Sequence, residues 1–340
     1  MRETIARVEE THPTLNALVA RRSEDELLRD AKVAEERLLR GEGRPLEGIP
    51  FGVKDLEHAA GLRTTYGSLA FRDAPVDTTD STEVARLKAA GAIVFGKTNS
   101  PEFGYTAITK NLVFGVTRSP WDPERSPGGS SGGSAALIAG EVLPLATASD
   151  GGGSIRIPAS FTGTFGLKPS FGRIPKGPFD RWDHGATSVY GPLTKTVEDA
   201  AFLLDLLAGP DLYDPRSLPA PKESFLEVVR RELPRGLRVG YSPDLGYAVV
   251  QSDIAEVVKD ASRVFEGLGC VLSDVRDGPP DLGASWGILG AFELAGRIAP
   301  LRAEHDASFG RALMEGIRMA EHLTPTWWGE FSRQRALLVE

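Results

Sequence analysis

Cysteine is almost missing from this chain: Cys270 is the single one in 340 residues, so neither a disulfide framework nor a multi-cysteine zinc site can form within it. A reducing cytoplasm is the setting that suits such a chain. No stretch reaches the roughly 18 consecutive apolar residues of a membrane helix. The charged start, with Arg2, Glu3, Arg7, Glu9 and Glu10, lacks the apolar segment of a secretory signal. Positive charge is in deficit as well. Lys and Arg number 39 against 47 Asp and Glu, a formal net charge of −8, where a nucleic-acid binder normally presents a basic face. The five histidines, His12, His58, His184, His305 and His322, show no H-E-x-x-H or similar spacing, so no metal site is expected. Internal repeats are absent.

What is present reads as ordinary globular material with room for a sizeable core. Leu27, Leu28, Ala31, Ala34, Leu38 and Leu39 recur at helical spacing between Ser23 and Arg40, and Gly41 follows as a stop. Ile49 to Val53 is a short apolar run that hands over to Lys54, a buried strand end carrying a lysine. Ser81 caps a helix to Ala90, and the unbroken run Ala92 to Gly96 predicts a strand covered on both faces. Helix followed by buried strand points to an α/β fold. Thr196 to Asp199 has capping-box form with Asp in place of Glu, and the apolar run behind it stops at Gly209-Pro210. Leu237 to Tyr241, a helix from about Asp253 to Leu268, and Cys270 to Val275 form a β-α-β unit expected at the edge of one sheet.

Two glycine-serine clusters dominate the middle of the chain. Gly128 to Ser134 (GGSSGGS) and Asp150 to Pro158 (DGGGSIRIP) place Ser130 and Ser154 close in sequence. Glycine permits positive φ and lets backbone approach backbone, so N–H groups can be aimed into a cavity. Ala135 to Ala139 follows the first cluster at once and reads as a packed helix rather than a continued flexible linker. The first cluster is no Walker A loop and the second lacks G-x-G-x-x-G, which argues against phosphate binding. Gly128 to Gly132 does satisfy G-x-S-x-G, the nucleophile elbow of α/β-hydrolases. An esterase of that type would use Ser130 with His184, His305 or His322, and would leave the second cluster unexplained.

Taken in order, Gly52-Val53-Lys54-Asp55, Pro127 to Ser134, Asp150 to Pro158, Gly166-Leu167-Lys168-Pro169 and Gly172-Arg173 resemble the amidase signature family. The flanks Gly96 to Phe103 and Gly191 to Ala200 resemble it too. The likeness covers nearly the whole chain, densest over about 48–207. It implies a single amidase-signature domain over 1–340, with a mixed central β-sheet flanked by helices on both faces. It also implies that the domain is incomplete, a fragment or a shortened member: relatives continue with further strands and a pocket wall, whereas this sequence stops at Glu340 inside the helical pattern 329–339.

The resemblance implies a Lys/cis-Ser/Ser triad carried onto Lys54, Ser130 and Ser154, with Ser154 as nucleophile, Ser130 as proton relay and Lys54 as base. Such a lysine must be desolvated, because at its ordinary pKa of about 10.4 it is a poor base at neutral pH. By the same analogy the backbones of Gly151, Gly152, Gly153 and Ser154 form the oxyanion hole, in a loop where many relatives carry Thr or Ile at the position of Gly151. Ser131 is assigned hydrogen-bond support. Asp150 and Arg156 are read as an ion pair or backbone anchors for the loop. A peptide bond in the cis form is implied before Ser130.

The implied function is hydrolysis of a carboxylic amide, with carbamates and esters as further substrates and without metal or organic cofactor. Phe179, Trp182 and Tyr190, in the segment after Gly172-Arg173, are candidates for an aromatic pocket, with core packing as the alternative. A glutamine-hydrolysing subunit of a tRNA-dependent amidotransferase is the second reading within the resemblance. A binding protein without activity would be expected to lack a triad member, and all three are present. The expected partner is a small-molecule substrate, not nucleic acid or membrane, and the chain is expected as a cytoplasmic monomer or homodimer.

Overall fold

Pro50–Lys54 and Ile93–Thr98 are out of solvent at every residue, as uninterrupted apolar runs require of strands covered on both faces. The computed structural model describes residues 1–178, 187–276 and 278–336. In chain order the first elements are α1 (Arg2–Leu15), β1 (Leu18–Arg21), α2 (Glu24–Leu39), β2 (Pro50–Lys54), α3 (Thr82–Ala89) and β3 (Ile93–Thr98). A hairpin of β4 (Lys110–Asn111) and β5 (Gly115–Val116) precedes α4 (Gly132–Ala139), β6 (Leu145–Ala146), β7 (Ser149–Asp150) and α5 (Arg156–Thr162). Then come β8 (Phe165–Gly166), β9 (Val189–Tyr190), β10 (Leu193–Thr194), α6 (Val197–Leu207) and α7 (Phe225–Val229). The remainder is β11 (Arg238–Tyr241), α8 (Ser252–Gly267), β12 (Val271–Asp274), α9 (Gly283–His305), α10 (Arg311–Ala320) and α11 (Pro325–Ala336).

Six strands make one mixed sheet in the order β1-β3-β2-β6-β10-β8. β2 runs parallel to both β3 and β6, while β1 and β10 run antiparallel to their neighbours. The two faces have separate cores. Phe51, Val53 and Val94 pack with Val84 and Leu87 of α3 and Leu203, Leu204 and Leu207 of α6. Ile93 and Phe95 pack on the opposite face with residues of α1, α2 and α4, among them Val8, Leu27 and Leu137. Each fully covered side chain of this size contributes about 1.5–3 kcal/mol relative to exposure.

One irregularity sets the directions of two lysines. Phe51 is opposite Val94, but Gly52 is opposite Gly96, so Phe95 is an extra residue in β3. Beyond it Val53 faces Lys97 and Lys54 faces Thr98. Neighbouring strand residues alternate in direction, so Lys97 leaves the sheet on the side of Val53 and Lys54 on the side of Thr98, whose hydroxyl meets Ser134 of α4 at 2.8 Å.

Helix ends follow their sequence signals. Ser23 and Glu26 form a reciprocal capping box at α2. At α6 Thr196 accepts from the Asp199 N–H, but the shorter Asp199 carboxylate takes the Thr196 hydroxyl at 2.7 Å instead of reaching back to the backbone.

By compactness the chain divides into Met1–Val229 with Gly290–Glu321, and Arg230–Leu289 with His322–Glu340. In the second unit β11 and β12 pair in parallel, Arg238 opposite Val271 through Tyr241 opposite Asp274. They form a two-stranded sheet of their own, which corrects the expectation that this β-α-β segment extends the main sheet. Run length and alternation identify strands, but they do not specify a lateral neighbour beyond the crossover partner.

Candidate active site

Lys54 ends β2, the strand with parallel neighbours on both sides, and its backbone N–H is held by Thr147 Oγ1 at 2.9 Å. Its side chain is fully buried. Four oxygens surround the amine: Ser130 Oγ and Ser131 Oγ at 2.8 Å, Ser149 Oγ at 3.0 Å and the Ser149 carbonyl at 3.2 Å. None is a carboxylate. Burial lowers the Lys54 pKa to about 7, although the charges of Glu57 and Asp150 draw it back upward. The amine is therefore substantially neutral near pH 7.

The first cluster is shaped by close approach. A Cβ on Gly133 would stand 2.4 Å from the Asn99 nitrogen, so only glycine lets α4 start against that backbone. The Gly129–Ser130 peptide is cis. Ser130 and Ser131 are both buried. Ser131 donates its hydroxyl to the Ser149 carbonyl at 3.3 Å, so its hydrogen is committed. The Ser130 and Ser149 hydroxyls each have Lys54 as side-chain partner, at 2.8 and 3.0 Å, and with a neutral amine a hydroxyl can donate to the nitrogen lone pair.

The second cluster is organised by Asp150. Its buried carboxylate accepts from the N–H groups of Gly153 (2.7 Å), Ile155 (3.2 Å) and Arg156 (3.4 Å), and from Arg156 Nε and Nη2 at 2.9 and 3.0 Å. Burial pushes the Asp150 carboxyl up, and the Arg156 guanidinium and the backbone donors more than reverse this. The turn bends at Gly153, whose φ of 119° favours glycine. Ser154 follows, half-buried, and its carbonyl accepts from the Ser131 N–H at 3.2 Å. That bond ties the two clusters together.

Three differences from the sequence reading stand out, and one part of it lies outside the described residues. Gly153 is not a free oxyanion donor, because its N–H is taken by Asp150; among the described residues the N–H groups of Gly151, Gly152 and Ser154 carry no such bond. Tyr190 belongs to the core beside Ile174 and Leu203 rather than to a pocket wall, with the Lys176 ammonium 5.0 Å from its ring centroid. Phe179 and Trp182 lie outside the described residues, as does His184. The elbow reading fails on geometry. It needs a strand leading into the serine, and residues 119–129 contain none.

Sequence reasoning missed Ser149 and Thr147, which hold Lys54, although Ser149 directly precedes the Asp150 cluster. It also missed Lys97 and the buried acids Asp55, Glu57 and Glu83. Among the described residues no group of three or more His, Cys, Asp and Glu side chains is placed to hold a metal ion, and no helix is long and apolar enough to cross a membrane.

Comparison with known proteins gives the family. The profile of the family described as Amidase matches residues 1–309. An acylamidase of Rhodococcus erythropolis is 40% identical over 275 residues, 79% of this chain and 56% of that protein. A glutamyl-tRNA(Gln) amidotransferase subunit of Pseudomonas fluorescens is 39% identical over 277 residues, 80% of this chain and 55% of that one. Among solved structures, a bacterial aryl acylamidase of the amidase signature family superposes with a TM-score of 0.91 at 33% identity, covering 99% of this chain and 71% of that one. The chain thus spans about half the length of the curated relatives it matches.

Proposed function

Because the chain belongs to the amidase signature family, we propose that it hydrolyses a carboxylic amide C–N bond through an acyl-enzyme on Ser154, with Ser130 relaying the proton to Lys54. The observation that carries this reading is a fully buried amine, titrating at about 7, with the Ser130 hydroxyl 2.8 Å away. A serine hydroxyl is a weak nucleophile until a base takes its proton. Here Ser154 attacks the carbonyl as its proton passes to Ser130, and the Ser130 proton passes to the Lys54 nitrogen. The N–H groups of Gly151, Gly152 and Ser154 then stabilise the tetrahedral oxyanion. The proton returns along the same path to the leaving amine, and water resolves the acyl-enzyme by the reverse sequence. Carbamates and esters offer the same carbonyl to the same serine. Asp150 and Arg156 hold the nucleophile turn rather than join the chemistry.

The likeness to a protein named acylamidase and to a solved aryl acylamidase supports acyl amides, aryl ones among them, as substrates. The 39% identity to the amidotransferase protein supports glutamine as a second reading. A chain with one cysteine suits a reducing cytoplasm.

Treatment with a serine-reactive fluorophosphonate tests the site. Ser154 is expected to be labelled, Lys54→Ala to abolish labelling, and replacement of His184, His305 and His322 to leave it intact. Labelling at Ser130 that depends on a histidine would overturn the proposal. A panel of aryl amides, aliphatic amides, carbamates and glutamine separates the substrate readings, and turnover of glutamine alone, only with a partner protein, would favour the amidotransferase.

A further inference from the structure

Glu102 is a buried acid outside the proton path, and it opens the short turn Glu102–Gly104 that follows β3. Its Oε2 accepts the Gly310 N–H at 2.7 Å, and Gly310 is the N-cap of α10. Among the described residues Oε1 takes no hydrogen bond, so the tie this side chain makes is to the start of a helix far along the chain. A carboxylate there also meets the positive end of the helix dipole.

The rest of the turn grips the same helix. The Phe103 ring stands 6.4 Å from that of Phe309 and 6.0 Å from that of Tyr66, centroid to centroid. Phe103 and Tyr105 pack with Leu313, Met314 and Ile317 of α10 in one apolar cluster. A Cβ on Gly316 would collide with the Tyr105 hydroxyl, so glycine there lets α10 close onto the turn. Phe103 holds a φ of 49°, a left-handed backbone that a side chain of its size adopts only where the surroundings over-determine it.

On its other side the turn lies against Ser130. A Cβ on Gly104 would stand 3.2 Å from Ser130 Oγ and 3.6 Å from Ser130 Cβ. A Cβ on Gly129 would stand 2.8 Å from the Ala107 carbonyl carbon and 2.9 Å from the Ile108 nitrogen. Backbone beyond the turn therefore walls this serine as well. The Ser130 hydroxyl has to give its proton to Lys54 while receiving one from Ser154, so its rotamer must be held narrowly.

We propose that Glu102 is a positioning residue for the proton relay: its bond to the Gly310 N–H clamps the turn between α10 and Ser130, and Gly104, so held, keeps the Ser130 hydroxyl aimed at Lys54. This role rests on Ser130 and Lys54 relaying the Ser154 proton as proposed above. Glu102 itself exchanges no proton with that path.

Saturation kinetics of Ser154 phosphonylation by a fluorophosphonate, with the full chain, supply the test. Glu102→Ala should lower the limiting rate about tenfold and leave the half-saturating reagent concentration within about twofold of the parent's. Glu102→Gln keeps an acceptor for the Gly310 N–H and should recover most of the loss. Gly310→Pro deletes the donor instead. At Gly310 φ is −66° and ψ 145°, and at Phe309 φ is −90° and ψ 144°, which already suit a proline and the residue before it. That variant should lose as much as Glu102→Ala, and it carries the test where the alanine variant fails to fold. A double-mutant cycle separates positioning from general damage. On a Ser130→Ala background Glu102→Ala should add less than about twofold, because its effect passes through the Ser130 hydroxyl. Equal slowing on both backgrounds, or parent-like labelling in a folded Glu102→Ala or Gly310→Pro variant, overturns the proposal. If Lys54→Ala or Ser130→Ala labels like the parent, the reading of the site itself falls; labelling that depends on both but not on Glu102 removes the clamp alone.

Discussion

Lys54 and Lys97 stand on neighbouring strands, both fully buried, and burial lowers the pKa of both. Their surroundings differ. Lys97 faces Asp55 at 4.0 Å, bonds Thr64 Oγ1 at 2.8 Å and donates to the Glu57 carbonyl. Asp55 in turn accepts from the Thr65 N–H, the Thr65 hydroxyl and the Gly67 N–H; burial pushes its carboxyl up, and Lys97 and these donors draw it part of the way back. Lys54 has only hydroxyls and a carbonyl in contact. Burial alone does not make a base of a lysine. The neighbouring charge decides: where a carboxylate stands 4.0 Å away the ammonium is a structural cation, and where only hydroxyls and a carbonyl touch the amine it is free to take a proton from a hydroxyl.

The sharpest test exchanges the two environments for apolar ones. Lys97→Met leaves Asp55 buried without its cation, and urea unfolding is expected to show a loss of about 3–5 kcal/mol. Lys54→Met removes no ion pair, so it should cost about 1 kcal/mol or less in the same measurement while slowing fluorophosphonate labelling of Ser154 by about 10³-fold. Similar stability losses in the two variants would erase the distinction. A second test uses pH. The neutral amine is the working form and titrates at about 7, so the labelling rate should fall about tenfold for each pH unit below that and level off above it. A limb displaced toward the ordinary lysine range would mean that water or a carboxylate reaches the amine.

Smaller effects sharpen the picture at the edges. Ser149→Ala deletes one acceptor of the Lys54 amine and should disfavour the ammonium, moving the acid limb lower by about half a unit. Thr147→Val removes the acceptor of the Lys54 backbone N–H and should cost about 1 kcal/mol in thermal or urea unfolding, with the acid limb unmoved.

Much of the fold was legible. The buried strands, the Ser23 cap of α2 and the helix opened by the first cluster follow from run length, periodicity and capping residues, which are local properties. Ser130 and Ser154 also stood out, because glycine loops flanking serines are unusual in composition, and the family resemblance added Lys54. Side-chain reach was not legible. Nothing in Asp150-Gly-Gly-Gly says that the carboxylate turns back onto the Gly153 N–H, and Tyr190 reads equally well as pocket or core until β9 is placed. Glu57 and Glu83 lie far apart along the chain, and surface-type residues of that kind announce burial only through their neighbours.

The sequence by itself determined that a lysine ends a buried strand and that two glycine-rich loops bring serines with them. Tertiary structure decided which lysine meets those serines. Strand side chains alternate with a period of two, so the single extra residue at Phe95 shifts the pairing of β3 with β2 and sends Lys97 to the side of Val53 and Lys54 to the side of Thr98.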